Sequence, residues 1–272
     1  MLTLIENSDI FYKIMKEAGY RILAAFIFFT RLPFWRIANV PKEYYKRVVP
    51  LWSMTGWLTG GIMAGAFCVA SSFLPVSISI IIAIISRLLI TGALHEDGYA
   101  DFCDGFGGGV SRERILEIMK DSHIGSYGVI GLIVYYILIF SLISSLPETV
   151  IPYALIMADT YSKFLCSHIV NFLPYARKEN EAKSKVIYNR MSTHDIVTSA
   201  FFGLLPILIY MYKVHSYLLI IPMIVPMLSV MFLFKMMHDK IKGYTGDCCG
   251  AAFIISETFF YIALTAIYQE AF

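Results

Sequence analysis

The stretch "VSISIIIAIISRLLITGALHEDGYADFCDGFGGG", Val76 to Gly109, sets an apolar run directly against His95–Gly109, which holds four acidic residues and five glycines. A helix needs roughly 20 mostly apolar residues to cross a bilayer, so residues 76–94 have the length of a span. The acids then lie where that span leaves lipid. Reading outward, the segments 51–74, 127–146, 150–170 and 217–234 meet the same test, and 197–212 and 251–268 are shorter or interrupted versions of it. Pro75, Pro147 and "YKVHS" at 212–216 mark tight turns between successive spans.

Composition agrees. The 272 residues are 58% hydrophobic and 15% charged, with a mean hydropathy of +0.67, whereas soluble domains carry about 25% charged residues. The expected fold is all-α: a polytopic integral membrane helical bundle of about seven transmembrane helices, forming a single domain over 1–272. Residues 1–20 fit an amphipathic helix lying on the membrane surface, and no cleavable signal peptide is evident there. "RILAAFIFFTRLPFW", residues 21–35, is short and flanked by arginines, and reads as a re-entrant, interfacial or tilted element. The five cysteines form no C-x-x-C pair, so neither a disulfide framework nor a zinc site is suggested. A net charge of +2 with no basic patch interleaved with aromatics argues against nucleic acid.

Threading seven spans as hairpins brings segments 31–50, 95–126, 171–196 and 235–250 out on one face. Those segments hold sixteen Lys and Arg residues, against Lys213 alone in the opposite turns. The positive-inside rule places the long segments in the cytoplasm, so the chemistry is expected on the inner face of the cell membrane.

If the helix of 76–94 continues past His95, Asp97, Asp101 and Asp104 fall at i, i+4 and i+7 on one face. Carboxylates packed that closely repel unless a cation joins them. Mg2+ takes oxygen ligands and commonly bridges carboxylates to substrate phosphates. The glycines at 105 and 107–109 are expected to end the helix and leave N–H groups near an anion. A solvated acidic helix end is the competing interpretation. Glu96 and His95 fall off the stripe, and Glu96 is expected to be solvated. "IMKDSHIGSYG" brings Asp121 to the next span, whose start near Ser126 would turn free N–H groups toward a phosphate; an ordinary N-capped loop is the alternative there. Lys120 and His123 supply positive or protonatable partners. "KGYTGDCCGAAFIISE" adds Asp247 between glycines and Glu257 inside an apolar span.

Ionisable residues at membrane depth are functional candidates by default: Arg87, Asp159, Lys163 and Glu257. Asp159 and Lys163, at i and i+4, can equally neutralise each other. Arg177 of "LPYARKENEAKSKVIYNRMS" suits bidentate phosphate recognition, while Lys183 and Lys185 read as solvated or near anionic lipid head groups. "GWLTGGIMAGA" carries Gly56, Gly60 and Gly61, which permit close helix approach or a homo-oligomer contact.

Three separated motifs coincide: H-x-D-G-x-A-D-x-x-D-G-x-G-G, E-I-M-K-D-S-x-I-G-x-x-G and G-x-T-G-D-x-x-G-A. With "FFTRLPF" at 28–34 and "PYAR" at 174–177, this ordered set resembles the cobalamin synthase (adenosylcobinamide-GDP ribazoletransferase) family, from about residue 25 to the C-terminus. Glu96 stands where that family usually has leucine, and His123 and Lys163 where arginine is common. The resemblance implies a Mg2+-dependent membrane enzyme. A ribose hydroxyl of alpha-ribazole, or of its 5'-phosphate, attacks the phosphorus nearer cobinamide in adenosylcobinamide-GDP and GMP leaves. Asp97, Asp101, Asp104 and Asp121 are then the expected metal ligands. Asp121 and Asp247 are further ligands or the base, and Lys120, His123, Arg177 and Arg31 are expected to bind phosphate. The choice of base among the aspartates stays open.

Two other classes compete. A CDP-alcohol phosphotransferase also uses membrane aspartates, but "DGYADFCDG" lacks the Ala-Arg pair expected after the first Asp-Gly. A transporter would line a midplane path with Arg87, Asp159, Lys163 and Glu257, and leaves the acidic loop motifs unexplained.

Overall fold

The structure, a computed structural model, describes residues 2–177 and 187–271, and the side chains of residues 15–177 and 187–269. Lys183 and Lys185 lie outside the described residues. Among the described residues twelve α-helices follow in order: α1 Leu2–Phe29, α2 Lys42–Tyr45, α3 Trp52–Ser71, α4 Val76–Thr91, α5 Leu94–Gly108, α6 Arg112–Ile118, α7 Ser126–Ser144, α8 Ile151–Ser167, α9 Ile169–Phe172, α10 Thr193–Val214, α11 Ile221–Ile241 and α12 Gly246–Ala271. No strand occurs among the described residues.

Each of the seven expected spans is a helix. Five are long and apolar enough to cross a membrane on their own: Val49–Ser71, Ser126–Ser144, Thr193–Val214, Tyr217–Ile241 and Gly246–Gln269. The bent pair α4–α5 makes a sixth if counted as one span. α8, with 17 residues, is shorter and lies inside the bundle, where Asp159 and Lys163 are fully buried. Large apolar side chains on α7, α10 and α11, such as Ile133, Ile137, Phe201, Leu208, Met231 and Phe232, point outward. That arrangement suits lipid as solvent, and the chain is a multi-pass membrane protein.

α3 and α8 pack closely because α3 has no side chain at the crossing. A Cβ at Gly56 would stand 2.8 Å from Thr160 Cα, and one at Gly60 would stand 2.9 Å from the Leu155 carbonyl oxygen. Gly61 has no such neighbour. Buried charges lock the same core. Lys163 pairs with Asp159 and donates to Thr59 Oγ1 at 2.6 Å, and Thr59 donates to Asp159 at 2.9 Å. Arg87 pairs with Glu257 and donates to the Tyr135 hydroxyl at 2.6 Å, which donates to Glu257 at 2.9 Å. Both cations lie near the Phe253 ring, at 5.3 Å for Lys163 and 5.4 Å for Arg87.

Two expectations change here. α4 does not run on past His95. It stops at Gly92 (φ 65°) and Ala93 (φ 57°), both left-handed, and α5 departs at 89°. Glycine adopts that conformation freely and alanine only under strain. The glycine run does end α5, at Gly108 with Gly109 as C-cap, while Gly105 and Gly107 lie within the helix, Gly107 under the ring of Tyr127 and Gly105 under Met119. At the N-terminus, the surface helix and the following apolar element are one continuous helix, α1.

The long segments between spans gather at one end of the bundle. Tyr175 and Tyr244 form a short parallel bridge. Arg112 donates to the carbonyls of Ile241 and Ala176, at 2.9 Å each. Asn189 N donates to the Lys46 carbonyl at 2.9 Å, and Arg21 pairs with Asp195 at 2.9 Å.

Candidate active site

The end where those segments meet holds a cavity of about 270 Å³. Its wall takes Phe28 and Phe29 from α1, Trp52 from α3, His95, Asp97 and Gly98 from α5, Cys166 from α8, Tyr175, Arg177 and Tyr188 from the segments around 171–196, and Asp247, Cys249 and Gly250 from α12. Asp97 and Asp247 meet there because α5 and α12 cross through two glycines. A Cβ at Gly98 would lie 3.1 Å from Asp247 Cα, and one at Gly250 would lie 2.8 Å from the His95 carbonyl oxygen. Substitution at either glycine would drive the two aspartate-bearing turns apart.

Asp97 is exposed at the mouth, and Asp247 is buried with Thr245 donating to it at 3.4 Å. Arg177 spends one N–H on the Leu116 carbonyl, at 2.8 Å, and its guanidinium carries further donors. Burial pushes the phenol of Tyr175 up to about 12, so it remains a protonated hydrogen-bond donor at neutral pH. Arg177 also borders a second cavity of about 400 Å³ with Arg112, Glu113, Glu117 and Lys120.

The other expected site residues are placed differently. Asp104 is buried, and its two oxygens accept from Gly125 N at 2.7 Å and Gly128 N at 2.9 Å. Two of the N–H groups expected to face a phosphate at the start of α7 are therefore occupied by a carboxylate of the chain itself. Gly125 and Gly128 make room for it; a Cβ at Gly128 would stand 2.5 Å from that carboxylate. Asp101 is half-buried, one turn beyond Asp97. Asp121 is exposed and accepts from His123 N at 3.0 Å, with His123 Nδ1 at 2.7 Å. Those contacts, the backbone N–H foremost, hold its carboxyl below the usual range. Arg31 packs its guanidinium over Gly92 at the α4–α5 break. Among the described residues no three His, Cys, Asp or Glu side chains come together to hold a metal, so Asp97, Asp101, Asp104 and Asp121 are not gathered as the sequence suggested.

Glu96, expected in solvent, is only 2% exposed and lies 3.4 Å from Arg87. His95 is also buried, stacked 4.1 Å from Phe253 and 5.8 Å from Phe29. The aromatic wall was missed in the sequence: Trp52 and Tyr188 were hidden in a span and a basic loop. Phe28, Phe29 and Tyr175 lie within "FFTRLPF" and "PYAR", where nothing in the pattern marks them as cavity wall.

Fold and site together define a multi-pass membrane protein whose loops build one acidic, aromatic-lined cavity at an end of the helical bundle. The family model described as cobalamin-5-phosphate synthase matches residues 21–265, and the chain belongs to that family. An adenosylcobinamide-GDP ribazoletransferase of Leptospira interrogans is 32% identical over 262 residues, covering 94% of this chain and 98% of that protein. Proteins of the same name from Shewanella woodyi (34% identical; 87% of this chain, 92% of that one) and Vibrio cholerae (31%; 91% and 94%) are also similar. No solved structure matches.

Proposed function

We propose that the chain is an adenosylcobinamide-GDP ribazoletransferase. It transfers the cobinamide phosphate of adenosylcobinamide-GDP to a ribose hydroxyl of alpha-ribazole or its 5'-phosphate. The hydroxyl oxygen bonds to the phosphorus nearer cobinamide, the bridge to the second phosphorus breaks, GMP departs, and the hydroxyl proton passes to a carboxylate. The observation that carries this is convergence: residues of the H-x-D-G, P-Y-A-R and T-G-D-x-x-G motifs, far apart in the chain, line one cavity.

Phosphoryl transfer needs positioning and charge neutralisation more than covalent help from protein. Asp97 and Asp247 suit Mg2+, which is usually held by one or two carboxylates with waters and substrate phosphates completing its shell. Bound there, the ion would neutralise diphosphate charge. Arg177, on the cavity wall, would grip the diphosphate, and Asp97 or Asp247 would take the proton. Transport is not supported, because Arg87, Asp159, Lys163 and Glu257 are buried and paired with one another. A CDP-alcohol phosphotransferase is not favoured by the relatives named above.

The test uses protein reconstituted in liposomes with adenosylcobinamide-GDP, alpha-ribazole and Mg2+. Adenosylcobalamin and GMP are expected in equal amounts, and chelation of divalent cations should abolish both. Folded protein yielding neither product would refute the assignment.

A further inference from the structure

A third cavity, of about 280 Å³, lies where α1, the entry to α3 and the entry to α10 come together. Its wall includes Arg21, Arg47, Pro50, Asn189, Arg190 and Asp195, and it shares no lining residue with the active-site cavity. Three guanidinium groups face one carboxylate. Asp195 is already committed: Arg21 pairs with it at 2.9 Å, and Ser192 donates to it through Oγ at 2.8 Å and through N at 3.1 Å. Arg47 and Arg190 are exposed, and neither guanidinium makes an ion pair or hydrogen bond among the described residues.

The backbone under these two arginines is pinned. Asn189 N donates to the Lys46 carbonyl at 2.9 Å. Met191 N donates to Asn171 Oδ1 at 2.8 Å, and Asn171 Nδ2 donates back to the Met191 carbonyl at 3.2 Å. Val48, next to Arg47, is fully buried. Arg47 and Arg190 therefore offer unspent donors from fixed positions, and a guanidinium fork matches the oxygens of a phosphate.

Position selects among phosphates. Pro50 and Asp195 stand in the first turns of the spans Val49–Ser71 and Thr193–Val214, the level at which helices leave hydrocarbon for head groups. Ile22 beside Arg21, and Val197 and Phe201 beyond Asp195 on α10, are exposed apolar side chains. A soluble phosphate has no use for such flanks, whereas acyl chains do. Basic pockets between transmembrane helices are a recurrent binding place for anionic head groups.

We propose that this cavity binds the phosphate of an anionic phospholipid. Arg47 and Arg190 hold the phosphate oxygens, Arg21 completes the cationic wall, and the acyl chains run over the apolar faces of α1 and α10. The bound lipid also secures the segment that carries Tyr188, which adjoins Asn189 and lines the active-site cavity.

The test measures binding to the full chain in detergent by native mass spectrometry, so it stands whether or not transfer is detected. The unaltered protein should retain phosphatidylglycerol in preference to phosphatidylcholine, and inorganic phosphate should not displace it. Equal retention of the two lipids overturns the proposal. Displacement by inorganic phosphate overturns it as well, because the cavity would then be a site for free anions. A second arm removes charge. Arg47→Gln with Arg190→Gln should weaken phosphatidylglycerol binding about thirtyfold, the scale of two arginines acting on an anionic head group. Arg114→Gln with Lys240→Gln takes the same charge from exposed positions outside the three cavities. That pair should change binding by no more than about twofold. Equal losses in the two pairs, or no loss in the cavity pair, overturns the proposal.

Discussion

At the scale of single residues, Asp97 and Asp104 occupy one face of one helix and do different work. Asp104 takes two N–H groups at the start of α7, the arrangement of an N-cap supplied from a distant helix. A carboxylate there gains from both the hydrogen bonds and the helix dipole. Asp104→Asn offers one acceptor oxygen to two donors and should destabilise the protein by about 1–2 kcal/mol, read as lowered thermal unfolding in detergent. Asp97→Asn, exposed at the cavity mouth, should leave stability within about 0.5 kcal/mol yet cut the transfer rate about a hundredfold or more. Full activity in Asp97→Asn, or unchanged stability in Asp104→Asn, would reverse these roles. The D-x-x-x-D-x-x-D spacing made the shared face legible. It could not show that a second helix brings its N-terminus to the third aspartate, because that contact joins residues 21 and 24 positions apart. Asp247 and Arg177 were legible for the opposite reason, since each stands in a motif whose glycines or proline fix its local backbone.

At the scale of elements, hydropathy located a helix in each apolar segment, five of them long enough to cross on their own, and the paired charges Asp159 and Lys163 marked α8, which lies inside the bundle. The bend between α4 and α5 was not legible, because the apolar run continues through Gly92 and Ala93 without a proline. Only the left-handed pair in the structure reveals the turn. Helix contact through glycine was legible as a capacity and not as a choice between neighbours. Gly60 faces α8 and Gly61 faces open space, one residue and about 100° apart. Gly60→Ala would press a methyl onto the α8 backbone and should cost about 1–3 kcal/mol. Gly61→Ala should leave stability unchanged or raise it by up to about 1 kcal/mol through helix propensity. Denaturant unfolding in micelles compares the pair. Equal effects at the two positions would mean that α3 is rotated relative to α8.

At the scale of the whole molecule, charge and geometry bear on the same question by separate routes. Sixteen Lys and Arg residues lie in segments 31–50, 95–126, 171–196 and 235–250, against Lys213 in the opposite turns. Those same segments hydrogen-bond to one another around the cavity. By the positive-inside rule, a cavity on that side is expected to open to the cytoplasm. Cysteine labelling in intact cells tests this, starting from Cys68→Ala to remove the exposed natural thiol. Glu148→Cys, in the exposed turn after Pro147, should react with a membrane-impermeant maleimide at once. Glu113→Cys, exposed on α6 beside the second cavity, should react only after permeabilisation. The reverse pattern would turn the molecule over. The cavity would then face away from the nucleotide pool, and a GDP-activated substrate could not reach Asp97 and Asp247 without first crossing the bilayer.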